Sequence, residues 1–408
     1  MSDHAIWDRR LLILFFIAGL CFPSSSDGLP SGMLYAAALA ASGSILITTA
    51  WKAGCDKQIF WNVSWTIPAW LIACTVRSYV FNFHQVNIGP LPGFTLFGFL
   101  LCVKFRNLSI SSPQRILAWV SVMNLLAGIL MLTWEPATQF MVAHFNNYYE
   151  ELLPAMVSGL KPVTVFATHS LAGTFAYLFF FLNFRAYKQT GGRISFWLAV
   201  LHVGMCLAMM STTSLLLSAL AVGELIYVFK WRAIALFSAI VLLIPSNIRE
   251  ASLGAVQLFW GAEGNGFLAR YQAGGTMHLS IMYLIDHPFL PLGFAYPGDD
   301  LRLIDSGPIE YLLMGSIPLL LLVYGGFFLF LRRNLVSKWD CYRLFAVLLA
   351  TEIGIPVLTY ARSLLLIPAF MILLNSLPQE ARVPRRRLLS TLWRAYTLQP
   401  FSASQRDH

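Results

Sequence analysis

Long apolar blocks alternate with short polar breaks along the whole chain. Twelve blocks predict membrane-crossing helices, at about residues 10–23, 29–51, 60–76, 88–103, 116–134, 162–184, 194–211, 213–229, 233–245, 305–331, 344–359 and 362–376. Several are shorter than the ~20 residues of a usual span. The ninth is the least marked, and the 194–229 run divides in more than one way. Two connections are long, 135–161 and 245–304, and residues 377–408 form a tail containing "RVPRRRLLSTLWRA". The pattern predicts one all-α, polytopic membrane domain over 1–408, with a large helical loop between spans nine and ten.

Composition agrees. The chain is 57% hydrophobic and 12% charged, with mean hydropathy +0.66, against about 25% charged in a soluble domain. Charge then orients it. With the N-terminus inside, 22 of the 28 basic residues fall on the inner side, leaving Arg77, Lys161, Arg249, Arg270, Arg302 and Arg362 outside. The net charge of +9 divides into +16 inside, −5 outside and −2 within spans, from Glu224 and Glu352. It is a topology signal and calls for no nucleic acid. Both termini are expected in the cytoplasm, with the basic tail on the anionic inner leaflet. Arg9-Arg10 before an apolar run resembles a signal-peptide start, but "PSSSDG" offers no small-x-small cleavage site, so span one is expected to stay. No cysteine lies in an outside loop, so no disulfide framework is expected there. CxxC, HExxH and P-loop motifs are absent.

Candidate chemistry concentrates in "RYQAGGTMHLSIMYLIDHPFLPLGFAYPGDDLRLIDSGPIEYLL", residues 270–313. Leu279 to Ile285 reads as a short interfacial helix, and Pro288, Pro291, Gly293, Pro297 and Gly298 then force an irregular path. Asp299, Asp300, Arg302, Asp305 and Glu310 crowd the entrance of span ten.

The order Arg270, His278, His287-Pro288, Gly293, Asp305, Tyr311-Leu312 and Gly315 resembles the O-antigen polymerase and ligase superfamily, as does "KPVTVFATHSLAG" with Lys161, Phe166, His169 and Ser170. The resemblance covers most of the chain topologically, through short, degenerate motifs. It implies a bacterial inner-membrane glycosyltransferase working at the periplasmic face on an undecaprenyl-pyrophosphate-linked oligosaccharide, alongside membrane lipid and a chain-length regulator, without cofactor or metal. Two departures stand out. The ligases carry His-Asn where this chain has Asp305-Ser306-Gly307, which leans towards polymerase. "MMSTTSLLLSAL" supplies Thr213-Ser214 but no Arg, so one phosphate contact is either missing or supplied by Lys161, Arg249 or Arg77.

The chemistry sets its own requirements. When a sugar leaves a lipid pyrophosphate, negative charge collects on the phosphates, and arginine's planar fork of donors suits them. The acceptor hydroxyl needs a base. Arg270, with Arg302, Arg249 or Lys161, is expected on the pyrophosphate. Asp305 or Glu310 is expected to take the proton, with His278 a further candidate. Tyr271, His169 and Tyr311 are assigned to the sugar, and Tyr283 and Tyr296 also have rings able to stack on one. Plainer roles stand beside each. Arg302 and Arg270 pair with carboxylates and pin the loop; Asp305 caps a helix; Glu310 pairs with Arg270 or Arg302; His169 and His202 are bundle histidines; Glu224 and Glu352 are interhelical polar contacts or proton-path residues. Three function classes follow: glycan polymerase, glycan ligase onto lipid A core, and polar-lipid flippase or transporter. A transporter requires ionisable residues through the midplane and interrupted helices. The spans read as nearly clean, which favours surface chemistry.

Overall fold

A computed structural model describes residues 3–23, 31–81, 85–108, 110–145, 163–166, 168–209, 211–230, 238, 277–296 and 306–377. Among these the chain is helical apart from a two-residue ladder. The helices are α1 (Asp3–Leu20), α2 (Ser31–Ala53), α3 (Lys57–Ile59), α4 (Thr66–Phe81), α5 (Leu91–Cys102), α6 (Pro113–Thr133), α7 (Glu135–Phe145), α8 (His169–Thr190), α9 (Arg193–Ala208), α10 (Thr212–Phe229), α11 (His278–Asp286), α12 (Gly307–Asn334), α13 (Lys338–Glu352) and α14 (Ala361–Ser376). Helices overlap eleven of the twelve expected blocks; the ninth lies outside the described residues apart from residue 238. Five stretches are long and apolar enough to cross a membrane: Met33–Ala53, Lys57–Val80, Pro113–Thr133, Thr212–Phe229 and Gly307–Asn334. Trp51, Trp61, Trp119, Leu220 and Leu321 are exposed on them, an apolar exterior that suits lipid. By length and composition these helices, among the described residues, are those of a membrane protein.

Helices α8 and α14 are buried on nearly every face, the property of helices at the axis of a bundle. Phe370 of α14 packs against Phe16, Phe175 and Phe179. The helix ends are cut by local chemistry. Thr168 caps α8 by accepting from the Leu171 N–H, and Gly191 ends it in a left-handed turn. Ser211 and Ser214 form a reciprocal cap on α10, and Ser337 caps α13.

Polar contacts sort the helix ends into two groups. At one, Lys52 pairs with Asp8 at 2.6 Å and Arg333 with Asp56 at 3.5 Å. There too, Asn334 donates to the Val103 carbonyl at 3.0 Å and Asn375 to the Asn334 carbonyl at 2.7 Å. Arg185 at the end of α8 pairs with Asp340 at the start of α13. This is the basic end. At the other, the starts of α8, α10, α12 and α14 meet the ends of α1 and α13; Thr174 and Thr351 share a 2.7 Å hydrogen bond there. We call this end the mouth.

Three boundaries correct the sequence reading. Helix α8 begins at His169, so 162–168 are not part of it. Helix α13 runs Lys338–Glu352 and stops, because Gly354 and Pro356 follow, and proline cannot continue the backbone ladder. The expected clean span ten is broken: Ser316 inside α12 has φ 56° and ψ −164°.

Candidate functional site

The break in α12 frees carbonyls that apolar surroundings cannot solvate. The "PLGF" segment supplies their donors. The Leu292 and Gly293 N–H groups donate to the Leu313 and Met314 carbonyls, both at 2.8 Å. Trp70 of α4 donates from Nε1 to the Gly315 carbonyl at 3.0 Å. The wedge is pinned to α4 on its other side, where Ser78 donates to the Pro291 carbonyl at 3.0 Å and Thr75 accepts from the Phe294 N–H at 2.8 Å. Gly293 has φ +64°, and a Cβ there would lie 2.3 Å from the Thr75 nitrogen, so only glycine fits. The segment then pairs as β2 (Ala295–Tyr296) with β1 (Gln85–Val86), antiparallel, Gln85 opposite Tyr296. Gly293 and Gly315, distant in sequence, are thereby brought to one place.

Above the break, α12 carries Glu310 and Tyr311. The Glu352 carboxylate, fully buried, is the hub. It accepts from Tyr311 Oη at 3.3 Å, Tyr324 Oη at 3.2 Å and the Leu358 N–H at 2.6 Å. It thus joins both halves of the broken helix to the turn after α13. Gly307 leaves it room, since a Cβ there would lie 1.7 Å from Glu352 Oε2. Glu310 is partly buried in the first turn of α12, and the Glu352 carboxylate is near enough to act on it electrostatically. The expected pairing with Arg270 or Arg302 involves residues outside the described set.

A buried cation lies at the same end. Arg362, in the first turn of α14, is fully buried. It donates to the carbonyls of Val165, Phe22 and Phe145, the last at 3.4 Å. Its guanidinium carbon is 5.9 Å from the ring centroids of both Phe145 and Phe166, within cation–π range. No carboxylate pairs with it among the described residues. Three chain segments are gathered by one side chain.

The expected site residues divide three ways. Arg249, Arg270, Tyr271, Arg302, Asp305 and Lys161 lie outside the described residues, as do Asp299 and Asp300. Glu310, His169 and His278 are described at or near the mouth: His169 starts α8 and His278 starts α11, both partly exposed. Met277, before His278, packs with Leu292, Ile309 and Leu313, which lays α11 against the outer half of α12. Tyr311 is a correction. It is fully buried between Phe94 and Tyr324 with its hydroxyl on Glu352, so its ring is closed to a sugar. Tyr283 is partly exposed on α11. Burial raises its phenol's pKa, while the nearby Arg77 guanidinium draws it back, so Arg77 is the candidate cation described beside α11. His202 is a bundle histidine, fully buried with Nδ1 2.8 Å from the Leu198 carbonyl.

Glu352 and Arg362 were missed as site residues. Reading 344–359 as one span hid the signal, since Gly354 and Pro356 end the helix at Glu352 and leave its carboxylate at the mouth. Compared with described protein families, with curated proteins and with solved structures, the chain matches none.

Proposed function

We propose that this protein is an integral-membrane glycosyltransferase that polymerises a glycan carried on undecaprenyl pyrophosphate, with twelve spans, both termini in the cytoplasm and the mouth at the periplasmic face of a bacterial inner membrane. One observation carries the reading most directly: two carboxylates, Glu310 and Glu352, lie at the end of the bundle where four helix N-termini gather. Helix N-termini favour anions, which suits a departing pyrophosphate. A carboxylate with a second one at the same end suits a proton acceptor. The acceptor hydroxyl oxygen attacks the anomeric carbon, its proton passes to Glu310 or Asp305, and the electrons of the broken sugar–phosphate bond remain on the pyrophosphate. Arginines from 245–304, with Arg77, hold that charge. The test is reconstitution in lipid discs with a lipid-pyrophosphate-linked repeat unit. A ladder of lengthened lipid-linked products is the expected result. Product formed only when lipid A core is added identifies a ligase, and no product at all removes the enzyme reading.

Transport is the second reading, and the broken α12 favours it, since interrupted helices with re-satisfied carbonyls build transporter sites. Glu224 adds to it, accepting from Tyr177 at 3.1 Å and pairing with Arg343 at 3.2 Å inside the bundle. Exchange of a labelled lipid-linked glycan between leaflets without chain growth is the outcome this reading requires.

A further inference from the structure

Cys55 lies just after α2 and Cys102 is the last residue of α5. Their sulfurs are 2.7 Å apart, closer than two unbonded sulfurs rest. The backbone holds them there. Cys55 bridges Val103 in antiparallel fashion, the Asp56 N–H donates to the Cys102 carbonyl at 2.8 Å, and the Lys104 N–H donates to the Gly54 carbonyl at 3.0 Å. Gly54, at φ +93°, turns the chain into this register. The Arg333 guanidinium donates to the Leu101 and Val103 carbonyls and pairs with Asp56, clamping both segments from a third helix. Cys55 is partly exposed and Cys102 fully buried, so one sulfur is within reach of a reagent and the other waits behind it. An accessible thiol with a resolving thiol beside it is the arrangement that redox-reactive pairs use.

We propose that Cys55 and Cys102 are a covalent modification site, a dithiol that takes a low-molecular-weight disulfide and closes on itself. In the first step the Cys55 thiolate attacks a sulfur of oxidised glutathione, forming a mixed disulfide and releasing one glutathione thiolate. In the second, the Cys102 sulfur attacks the Cys55 sulfur, forming the Cys55–Cys102 bond and releasing the second glutathione. The protein loses two hydrogens, and the oxidised glutathione gains them. The product ties the end of α2 to the end of α5 across 47 positions. The inference stands apart from the glycosyltransferase reading and does not depend on which side the basic end faces.

The test uses full-length protein in native membranes, treated with oxidised glutathione, then denatured and alkylated, with thiols counted by mass tags and peptides read by mass spectrometry. Two of the six cysteines are expected to become unreactive together, in a linked peptide pair lighter by two hydrogens, and dithiothreitol is expected to restore both. Cys55→Ser is expected to leave Cys102 in its free form, and Cys74→Ser is expected to change nothing. Glutathione persisting on Cys55 without transfer to Cys102, pairing of Cys55 with another cysteine, or full alkylation of both after treatment would each overturn the proposal.

Discussion

The two ends of the bundle treat charge in opposite ways. At the basic end three buried or half-buried charges have opposite partners: Lys52 with Asp8, Arg333 with Asp56, Arg185 with Asp340. At the mouth, Glu310 and Glu352 share one end with no ion pair among the described residues, and Arg362 sits among carbonyls and rings with no carboxylate among them. Burying a charge is costly, and an opposite charge offsets much of that cost. The basic end therefore explains itself as packing and topology. The mouth keeps ionisable groups where packing alone would exclude them, which is the usual mark of a working site in a membrane protein.

The largest effect is expected at Arg362. Arg362→Leu strands three carbonyls, and losing a buried hydrogen-bonded charge costs roughly 3–5 kcal/mol; accumulation of folded protein should fall sharply, and unfolding in a denaturing-detergent titration measures it. No second substitution among the described residues is expected to rescue it, because none of them is a single charged partner to be removed with it. Arg185 sharpens the contrast. Arg185→Leu or Asp340→Leu alone should destabilise strongly, yet the double variant should recover much of the loss, with a coupling of roughly 2–3 kcal/mol. Additive single effects there would show that the basic end is not a paired structure and would dissolve the contrast.

Two smaller effects test the hub. Gly307→Ala drives a methyl into the Glu352 carboxylate, so a loss of roughly 1–3 kcal/mol is expected, against near-neutrality at the exposed Gly325, which has nothing within 4 Å. The smallest concerns the break. Ser316 holds a left-handed φ, so Ser316→Gly should keep or raise stability by up to about 1 kcal/mol, and Ser316→Val should lower it. Equal tolerance of valine would mean that α12 is continuous in the membrane.

Much of the bundle was legible because apolar blocks are long and lysine and arginine mark their ends: α2, α6, α10 and α14 fall within a few residues of their expected limits. The break in α12 was not. Gly315, Ser316 and Pro318 stand in an apolar run, and their meaning depends on "PLGF" supplying donors from more than twenty positions away. Tyr311 was misassigned for a related reason, since sequence shows an aromatic near the interface but not the Phe94, Tyr324 and Glu352 that enclose it. Glu352 was visible in principle, because a proline four residues on ends the helix and moves the carboxylate from mid-span to mouth. Glu310 lies in the first turn of α12, at the entrance where it was expected, while its expected partners Arg270 and Arg302 lie outside the described residues.

The most direct measurement compares Glu310→Gln with the unaltered protein in single-turnover transfer from a lipid-pyrophosphate-linked repeat unit, beside detergent unfolding of both. The amide keeps the shape and loses the proton acceptor. Glycan transfer through Glu310 predicts a rate lower by about 100- to 10,000-fold with unfolding unchanged. Transfer within a factor of about three of the unaltered rate, or a loss matched by a loss of stability, would contradict it and leave the mouth's paired carboxylates as part of the helix break.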